Sequence, residues 1–438
     1  MGPLDKTDSQ DYLESLVHEK QLAFTYHRQS LQFQVSQELF SSYQIDAGTR
    51  LLLKTASALA ASDQVNKVLD LGCGYGPLGL AFAAAKPQRQ VHLVDRDALA
   101  VEFTRANARL NQLNNILAYG SLGYDDVSDH DFDLLLSNIP GKIGRPAMES
   151  LLLDARHILA PHGIAAIVVV PPLAGPVAEI LNRPDVEIQL REKGTEHVVF
   201  HYRFLEEQSP RDLDPGAMGG SFDHTSQFSK GGAQERGGSF ELGVYDREQM
   251  EVAYRGLKFP MQTVRGLPEF DKLSHATELL LTALEKIKSS GRTVGHALVF
   301  NPGQGHAPVA LWKQLGPQFL TLADRDLLSL RASERNLLAN GRHRENLLLR
   351  HQVGLNSSTD LPSPDLILGV LRDSESPRAH YALVQQAANL LPPGGQLLVS
   401  AASTTITRLE KTIKQNKLMI VKQRKRNRAR RLLILEVG

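Results

Sequence analysis

The chain of 438 residues has one cysteine, one tryptophan and almost no net charge. A lone thiol, Cys73, permits no internal disulfide and no cysteine-rich zinc site, which points to a reducing, cytoplasmic setting. Lys and Arg number 49 against 48 for Asp and Glu, so the chain is not a general polyanion binder and any nucleic-acid surface must be local. The 15 histidines form no HExxH or comparable ligand pair, so no metal is expected. No run reaches the roughly 18 apolar residues of a membrane span; the longest candidate, residues 164–173, has the length of a buried strand. The opening residues lack the basic stretch and apolar core of a leader, and Lys6 stands where a myristoylation signal needs Ser or Thr, so neither is expected. What is present is a globular composition, 42% hydrophobic, long enough for two to four domains with real cores.

One unit is written twice. VHLVDRDALAVEFTRAN at 91–107 aligns with LTLADRDLLSLRASERN at 320–336, so that Asp95 pairs with Asp324 and Gly74 with Gly303 at the same spacing. AGTRLLL at 47–53 aligns with HATELLL at 275–281, and the PHG at 161–163 with the PGG at 393–395, at nearly that spacing. A steady offset over more than a hundred residues indicates a duplicated domain. Between the copies, residues 205–243 are rich in Gly, Ser, Asp and Gln without apolar periodicity, the composition of a flexible linker.

Each copy alternates strand and helix. In the first, KVLDLGCG reads as a strand running into glycines, residues 79–85 as a helix and VHLVD as a strand. Residues 97–113 read as an amphipathic helix capped by Asp97. FDLLLSN is a strand, residues 148–159 a helix, and GIAAIVVVP an apolar strand suited to burial on both faces of a parallel sheet. VEIQL and HVVFHYRF then suggest an antiparallel hairpin closing the sheet. The pattern predicts an α/β, doubly wound sandwich, which binds ligands beyond the carboxyl ends of its strands.

The strongest chemical signal is VLDLGCGYGPLGL at 68–80. Gly72, Gly74 and Gly76 follow a strand and precede a helix, where they allow a tight turn and close backbone approach. Such a loop alone could serve a dinucleotide. Asp70, however, lies directly before the glycines, where it repels a pyrophosphate and attracts an ammonium or sulfonium. Asp95 ends the next strand, where a carboxylate can accept both hydroxyls of a ribose. Cys73 has no evident base or cation beside it and is read as a small loop residue.

DLGCGYG and VDRD resemble the first two motifs of class I S-adenosylmethionine-dependent methyltransferases. FSSYQIDAGTRLLL at 40–53 resembles the "small" methyltransferase group, which includes the tandem-domain ribosomal RNA guanine-N2 methyltransferases. The resemblance implies two tandem Rossmann-like folds and S-adenosyl-L-methionine as cofactor. It places Asp70 at the methionine end, Asp95 at the ribose, Gly72, Gly74 and Gly76 along the ligand, and Ser121 near the adenine. The domains implied are 1–204, with an N-terminal extension at 1–30, and a degenerate copy at 244–438. In the bacterial members of that group the second copy is the active one; here the order is reversed. The second copy reads LVFNPGQGHAP, with Val299 in the place of Asp70 and Asn301 in that of Gly72, although Asp324 is kept.

After the fourth strand the resembled enzymes carry Asn-Pro-Pro and an aromatic residue. This chain has Asn138-Ile139-Pro140-Gly141-Lys142. The resemblance makes Asn138 and Pro140 catalytic: an Asn side-chain oxygen and a backbone carbonyl accept hydrogens from an exocyclic amine and aim its lone pair, catalysis by orientation. The first Pro and the stacking aromatic are missing, and the second copy has Val370 for Asn138. A basic stretch near the end holds Arg424, Lys425, Arg426 and Arg428, a density suited to phosphates of RNA; the competing reading is a solvated edge hairpin. The favoured activity is methyl transfer to RNA, at guanine N2 of ribosomal RNA. The alternatives are a protein-amide or small-molecule methyltransferase and a non-catalytic cofactor-binding scaffold. A monomer is expected.

Overall fold

The computed structural model describes Leu16 and residues 21–39, 44–205, 242–355 and 362–438. Nearly all of the 205–243 linker, and the FSSY at 40–43, lie outside the described residues. The chain divides into two compact units, His18–Gly238 and Ser239–Gly438, the second including the residues up to Val17.

In the front unit a hairpin of β1 (Leu22–Tyr26) and β2 (Gln29–Phe33) precedes the main sheet. That sheet comprises β3 (Lys67–Leu71), β4 (Gln90–Asp95), β5 (Ile116–Gly120), β6 (Phe132–Asn138), β7 (Leu159–Val169), β8 (Val186–Lys193) and β9 (Val198–Phe204), in the order β5-β4-β3-β6-β7-β9-β8. The first five are parallel and the last pair is the antiparallel hairpin that closes the sheet. The strand order reverses between β3 and β4 on one side and β6 on the other, so the carboxyl ends of these strands meet at one crevice. The helix Pro77–Ala85 is apolar on all sides because it is buried on all sides, and it starts with proline, whose missing N–H costs nothing in a first turn. Asp97 caps Ala98–Leu110 by accepting from the Leu99 N–H. The helix expected at 148–159 is shorter. Arg145–Leu153 gives way to a 3-10 turn, and Leu159 already belongs to β7, drawn into the core opposite Phe132.

The rear unit repeats this plan. Hairpin β10 (Asp246–Tyr254) and β11 (Leu257–Val264) precedes β12 (His296–Phe300), β13 (Phe319–Asp324), β14 (Leu347–His351), β15 (Leu366–Val370), β16 (Gln396–Ala402), β17 (Ile420–Asn427) and β18 (Arg430–Glu436). Their order is β14-β13-β12-β15-β16-β18-β17. Register confirms the pairing of positions. Asp70 sits between Leu93 and Leu136, and Val299 between Leu322 and Leu368. Leu16, which the expected boundary at 204 groups with the front domain, is buried and lines a cleft of the rear unit.

Two side chains brace each hairpin and glycine loop in the same way. In front, Asn107 donates to the Gln34 and Tyr75 carbonyls at 3.0 and 2.9 Å and accepts from the Gln34 N–H, while Thr104 donates to the Gly74 carbonyl. In the rear, Asn336 donates to the Gln262 and Gln304 carbonyls and accepts from the Gln262 N–H, and Ser333 donates to the Gly303 carbonyl.

Candidate functional site

The site lies at the carboxyl ends of β3, β4 and β6 in the front unit. Asp70 is fully buried on β3. Its Oδ2 accepts from the Gly79 N–H at 2.7 Å, and its Oδ1 has no hydrogen-bond partner among the described residues. The helix approaches this closely because residue 79 is glycine: a Cβ there would lie 2.5 Å from Leu93 and 3.0 Å from the Asp70 carboxylate. Burial, reinforced by the nearby Asp95 charge and opposed by the Gly79 N–H, pushes the Asp70 carboxyl up to about 7. A carboxylate held this way favours a cationic ligand. Above it, Gly72 and Gly74 have φ of +76° and +57°, and Cβ atoms added there would meet nothing within 4 Å. The loop is thus a cradle with open space over its backbone. The Tyr75 hydroxyl is buried in the same loop, also without a hydrogen-bond partner among the described residues.

Asp95 ends β4. Its two oxygens accept one backbone N–H each, from Gly74 at 3.0 Å and Asp97 at 2.9 Å. A lone pair remains on each for a pair of ligand hydroxyls. Burial, with Asp97 beside it, pushes this carboxyl up to about 6. Cys73 is buried against Thr104, and burial drives its thiol well above the ordinary value, which makes it a poor nucleophile. Ser121 follows β5. Its hydroxyl donates to the Gly123 carbonyl at 2.8 Å and accepts from the Asp126 N–H, while its own N–H bonds to the Asp95 carbonyl. It shapes the turn next to Asp95.

Asn138, the last residue of β6, stands beside this cradle in the strand order. Its Nδ2 donates to Asp46 Oδ2 at 3.0 Å and to Thr49 Oγ1 at 3.2 Å. Pro140 follows in the loop, where its carbonyl accepts from the Ile143 N–H. Ile139 is buried in the core rather than presented to a ligand. The structure brings the expected Asp70, Gly72, Gly74, Asp95 and Asn138 to this end of the sheet, packs Gly76 against Leu80 and Thr104, and adds Gly79, Thr104, Asn107, Asp46 and Thr49, which the sequence did not single out. The repeat itself held a signal for some of these, since Thr104 and Asn107 align with Ser333 and Asn336.

The rear unit keeps the shape but not the same groups. Asn301 occupies the place of Gly72 with φ +48°, a left-handed conformation that asparagine tolerates. Val299 replaces Asp70, and Pro308, with no N–H to give, replaces Gly79. Gln304 replaces Tyr75 and is satisfied, bonding both the N–H and the carbonyl of Val264. Asp324 remains, but its oxygens are engaged by Ser329 at 2.6 Å, by the Asp326 N–H, and by an ion pair with Arg372. Arg372 holds the position of Pro140, so the loop equivalent to the Asn138 loop reaches back and occupies its own carboxylate. Leu16 lines the same cleft.

The basic stretch forms β17 and the start of β18, the outer hairpin of the rear sheet. Arg424 is paired with Glu410 at 2.9 Å. Lys425 is partly buried beside Lys286 and Arg255, and burial together with those two charges pushes it down to about 8. Arg426 donates to the Arg428 carbonyl, and neither side chain has a carboxylate partner among the described residues.

The family model for the methyltransferase small domain matches residues 30–200, within the front unit. The chain is similar to YbxB, an uncharacterized protein of Bacillus subtilis, with 30% identity over 140 residues, 32% of this chain and 68% of that one. It is also similar to the ribosomal RNA small subunit methyltransferase C of Vibrio parahaemolyticus, with 33% identity over 153 residues, 34% of this chain and 43% of that one. The match thus spans less than half of that second relative's length. In fold, the whole chain is similar to a 16S rRNA N2 methyltransferase of T. thermophilus solved with AdoMet and guanosine. The TM-score is 0.64 and the identity 16%, over 97% of this chain and all of that one.

Proposed function

The chain belongs to the methyltransferase small-domain family, and from that premise we propose that its front unit transfers a methyl group from S-adenosyl-L-methionine to an exocyclic amine of RNA, guanine N2 of ribosomal RNA. One observation carries the reading. The front cradle holds a buried carboxylate oxygen and a buried hydroxyl with no hydrogen-bond partners among the described residues, Asp70 Oδ1 and Tyr75 Oη, and the matching rear positions hold a valine and a satisfied glutamine. An unpaired buried polar atom calls for an explanation, and at the carboxyl ends of these strands a ligand that completes both atoms supplies one.

The donor set fits the cofactor. Asp70 Oδ1 suits its ammonium, directly or through water, the open face over Gly72 and Gly74 accommodates its body, and the free lone pairs of Asp95 suit a ribose diol. Bound there, S-adenosylmethionine supplies an electrophilic methyl on a sulfonium. The protein's part is orientation. Asn138 Oδ1 accepts a hydrogen from the substrate amine, the backbone about Pro140 accepts the other, and the nitrogen lone pair is thereby aimed. An RNA substrate is supported by the ribosomal RNA methyltransferase among the relatives and by Arg426 and Arg428 on the outer rear hairpin, which pair with no carboxylate among the described residues. Cytoplasmic action suits that substrate.

The test is incubation with tritiated S-adenosylmethionine and ribosomal subunits, free RNA and protein from cells lacking the gene. Label is expected in RNA and, after digestion, in N2-methylguanosine. Label confined to protein, or cofactor binding without any transfer, overturns the reading.

A further inference from the structure

Asp46 lies outside the cofactor cradle and has an evident structural task. It caps the helix Ala47–Thr55, its Oδ2 accepting from the N–H groups of Gly48 at 2.9 Å and Thr49 at 3.2 Å. The same oxygen accepts from Asn138 Nδ2 at 3.0 Å. A carboxylate has no hydrogen to donate, so it dictates which end of the Asn138 amide faces it. With the second hydrogen of that amide given to Thr49 Oγ1, both donors of the Asn138 side chain are spent inside the protein. Its Oδ1 accepts no hydrogen bond among the described residues. The amide is therefore locked with only its acceptor available.

The rear unit separates the two tasks of the aspartate. At the matching position Ser274 caps the helix His275–Ser289, accepting from the Thr277 N–H at 3.2 Å. Capping is thus met by a serine. Thr277, the match of Thr49, donates instead to Glu269 at 2.7 Å, and Val370 stands where Asn138 would be. Where the asparagine is gone, the carboxylate that would hold it is gone as well, although the helix still has its cap.

We propose that Asp46, assisted by Thr49, is a positioning residue that fixes the Asn138 side-chain amide with its oxygen toward the substrate amine. The proposal rests on the functional reading above. Without Asp46 the Asn138 amide is free to turn over, and the turned form offers a donor where the amine needs an acceptor.

The test compares Asp46→Ser, Asp46→Asn and Asn138→Ala in the full chain. Serine preserves the cap, as the rear unit shows, but is too short to reach Asn138. Asparagine can keep its oxygen in the place of Oδ2 and hold both. Asp46→Ser is expected to lower kcat by about tenfold or more, the range for losing a hydrogen bond to a charged group. Cofactor Kd and RNA KM should stay within about twofold. Asp46→Asn should restore most of kcat, and Asp46→Ser should add nothing in an Asn138→Ala background. In amide NMR, the Asn138 side-chain protons, identified by their loss in Asn138→Ala, should be protected from exchange in the wild type and in Asp46→Asn, and unprotected in Asp46→Ser. Additive losses in the double variant, a loss confined to cofactor or RNA binding, or unchanged protection in Asp46→Ser would overturn the proposal. If the wild type transfers no methyl group, the functional reading fails while the NMR comparison still decides whether Asp46 holds Asn138.

Discussion

In the front unit the Gly79 N–H reaches Asp70; in the rear unit Pro308, which has no N–H, and Val299 hold the two matching positions. In front, the oxygens of Asp95 keep lone pairs for a ligand; in the rear, Ser329 and Arg372 take those of Asp324. Asp46 holds Asn138 in front, and in the rear neither survives. The losses come in contacting pairs. The braces that shape the glycine loop, Asn107 with Thr104 and Asn336 with Ser333, are kept in both units. The backbone of the turn can therefore persist without the carboxylate beneath it, because the turn needs only left-handed residues and a braced carbonyl, whereas a buried carboxylate needs a partner, from the protein or from a ligand, to offset its desolvation.

The sharpest test of this comparison is Asp70→Asn set beside Asp324→Asn. The first should weaken cofactor binding by on the order of a hundredfold or more, since it removes one partner of a buried charged contact. The second should leave titration calorimetry unchanged at one site per chain. A second site, or loss of binding in the Asp324 variant alone, would break the distinction between the units. Next, Arg372→Ala should destabilise the rear unit by about 2–3 kcal/mol, because it strands the buried Asp324 carboxylate. Chemical denaturation measures this, and cofactor affinity should not move. If Arg372→Ala creates a second cofactor site, the rear cleft is only latched and not dismantled.

Acidity offers a smaller, graded effect. A cation prefers the ionised Asp70, whose carboxyl is raised to about 7. Affinity should therefore fall as pH drops below that value, by up to about tenfold per unit, and this part of the dependence should vanish in Asp70→Asn. The linkage to stability has the opposite sense. The carboxyl is raised above its unfolded value of about 3.9, so its contribution to stability is full at low pH and is lost as pH rises through about 7. Without cofactor, Asp70→Asn should melt above the wild type at pH 8, by roughly 2–4 °C for each kcal/mol relieved, and not at pH 4. Smallest is Asn301→Gly in the rear loop. It removes a hydrogen bond to the Val370 carbonyl but eases a left-handed residue, for a net change under about 1 kcal/mol by thermal melting.

Much of this was legible in the sequence because it is contiguous there. The strand, the glycine turn, Asp70 and Asp95 fall within two short stretches, and the duplication lines them up against their eroded counterparts. The doubly wound plan with its closing hairpin followed from strand–helix alternation. What stayed hidden runs through space. Nothing local says that Asp46 meets Asn138, that Gly79 touches Asp70, or that Arg372 turns back onto Asp324. The hairpins β1–β2 and β10–β11 also escaped notice, because a short pair such as Leu22–Tyr26 with Gln29–Phe33 carries little apolar periodicity of its own. The overlong helix at 148–159 arose because an apolar run leaving a helix and one entering a strand look alike until tertiary pairing assigns Leu159 opposite Phe132.

The Asn107 side chain grips Gln34, beside the hairpin, with both ends of its amide, Oδ1 accepting from the N–H and Nδ2 donating to the carbonyl, and the same nitrogen donates to the Tyr75 carbonyl of the glycine turn. Hairpin and turn thus share one amide, beside the edge-on contact of the Phe33 and Tyr75 rings. Whatever tugs on the small hairpin of the front unit is felt at the turn above Asp70 without passing through the seven-stranded sheet, and a pull strong enough to free one must loosen the other.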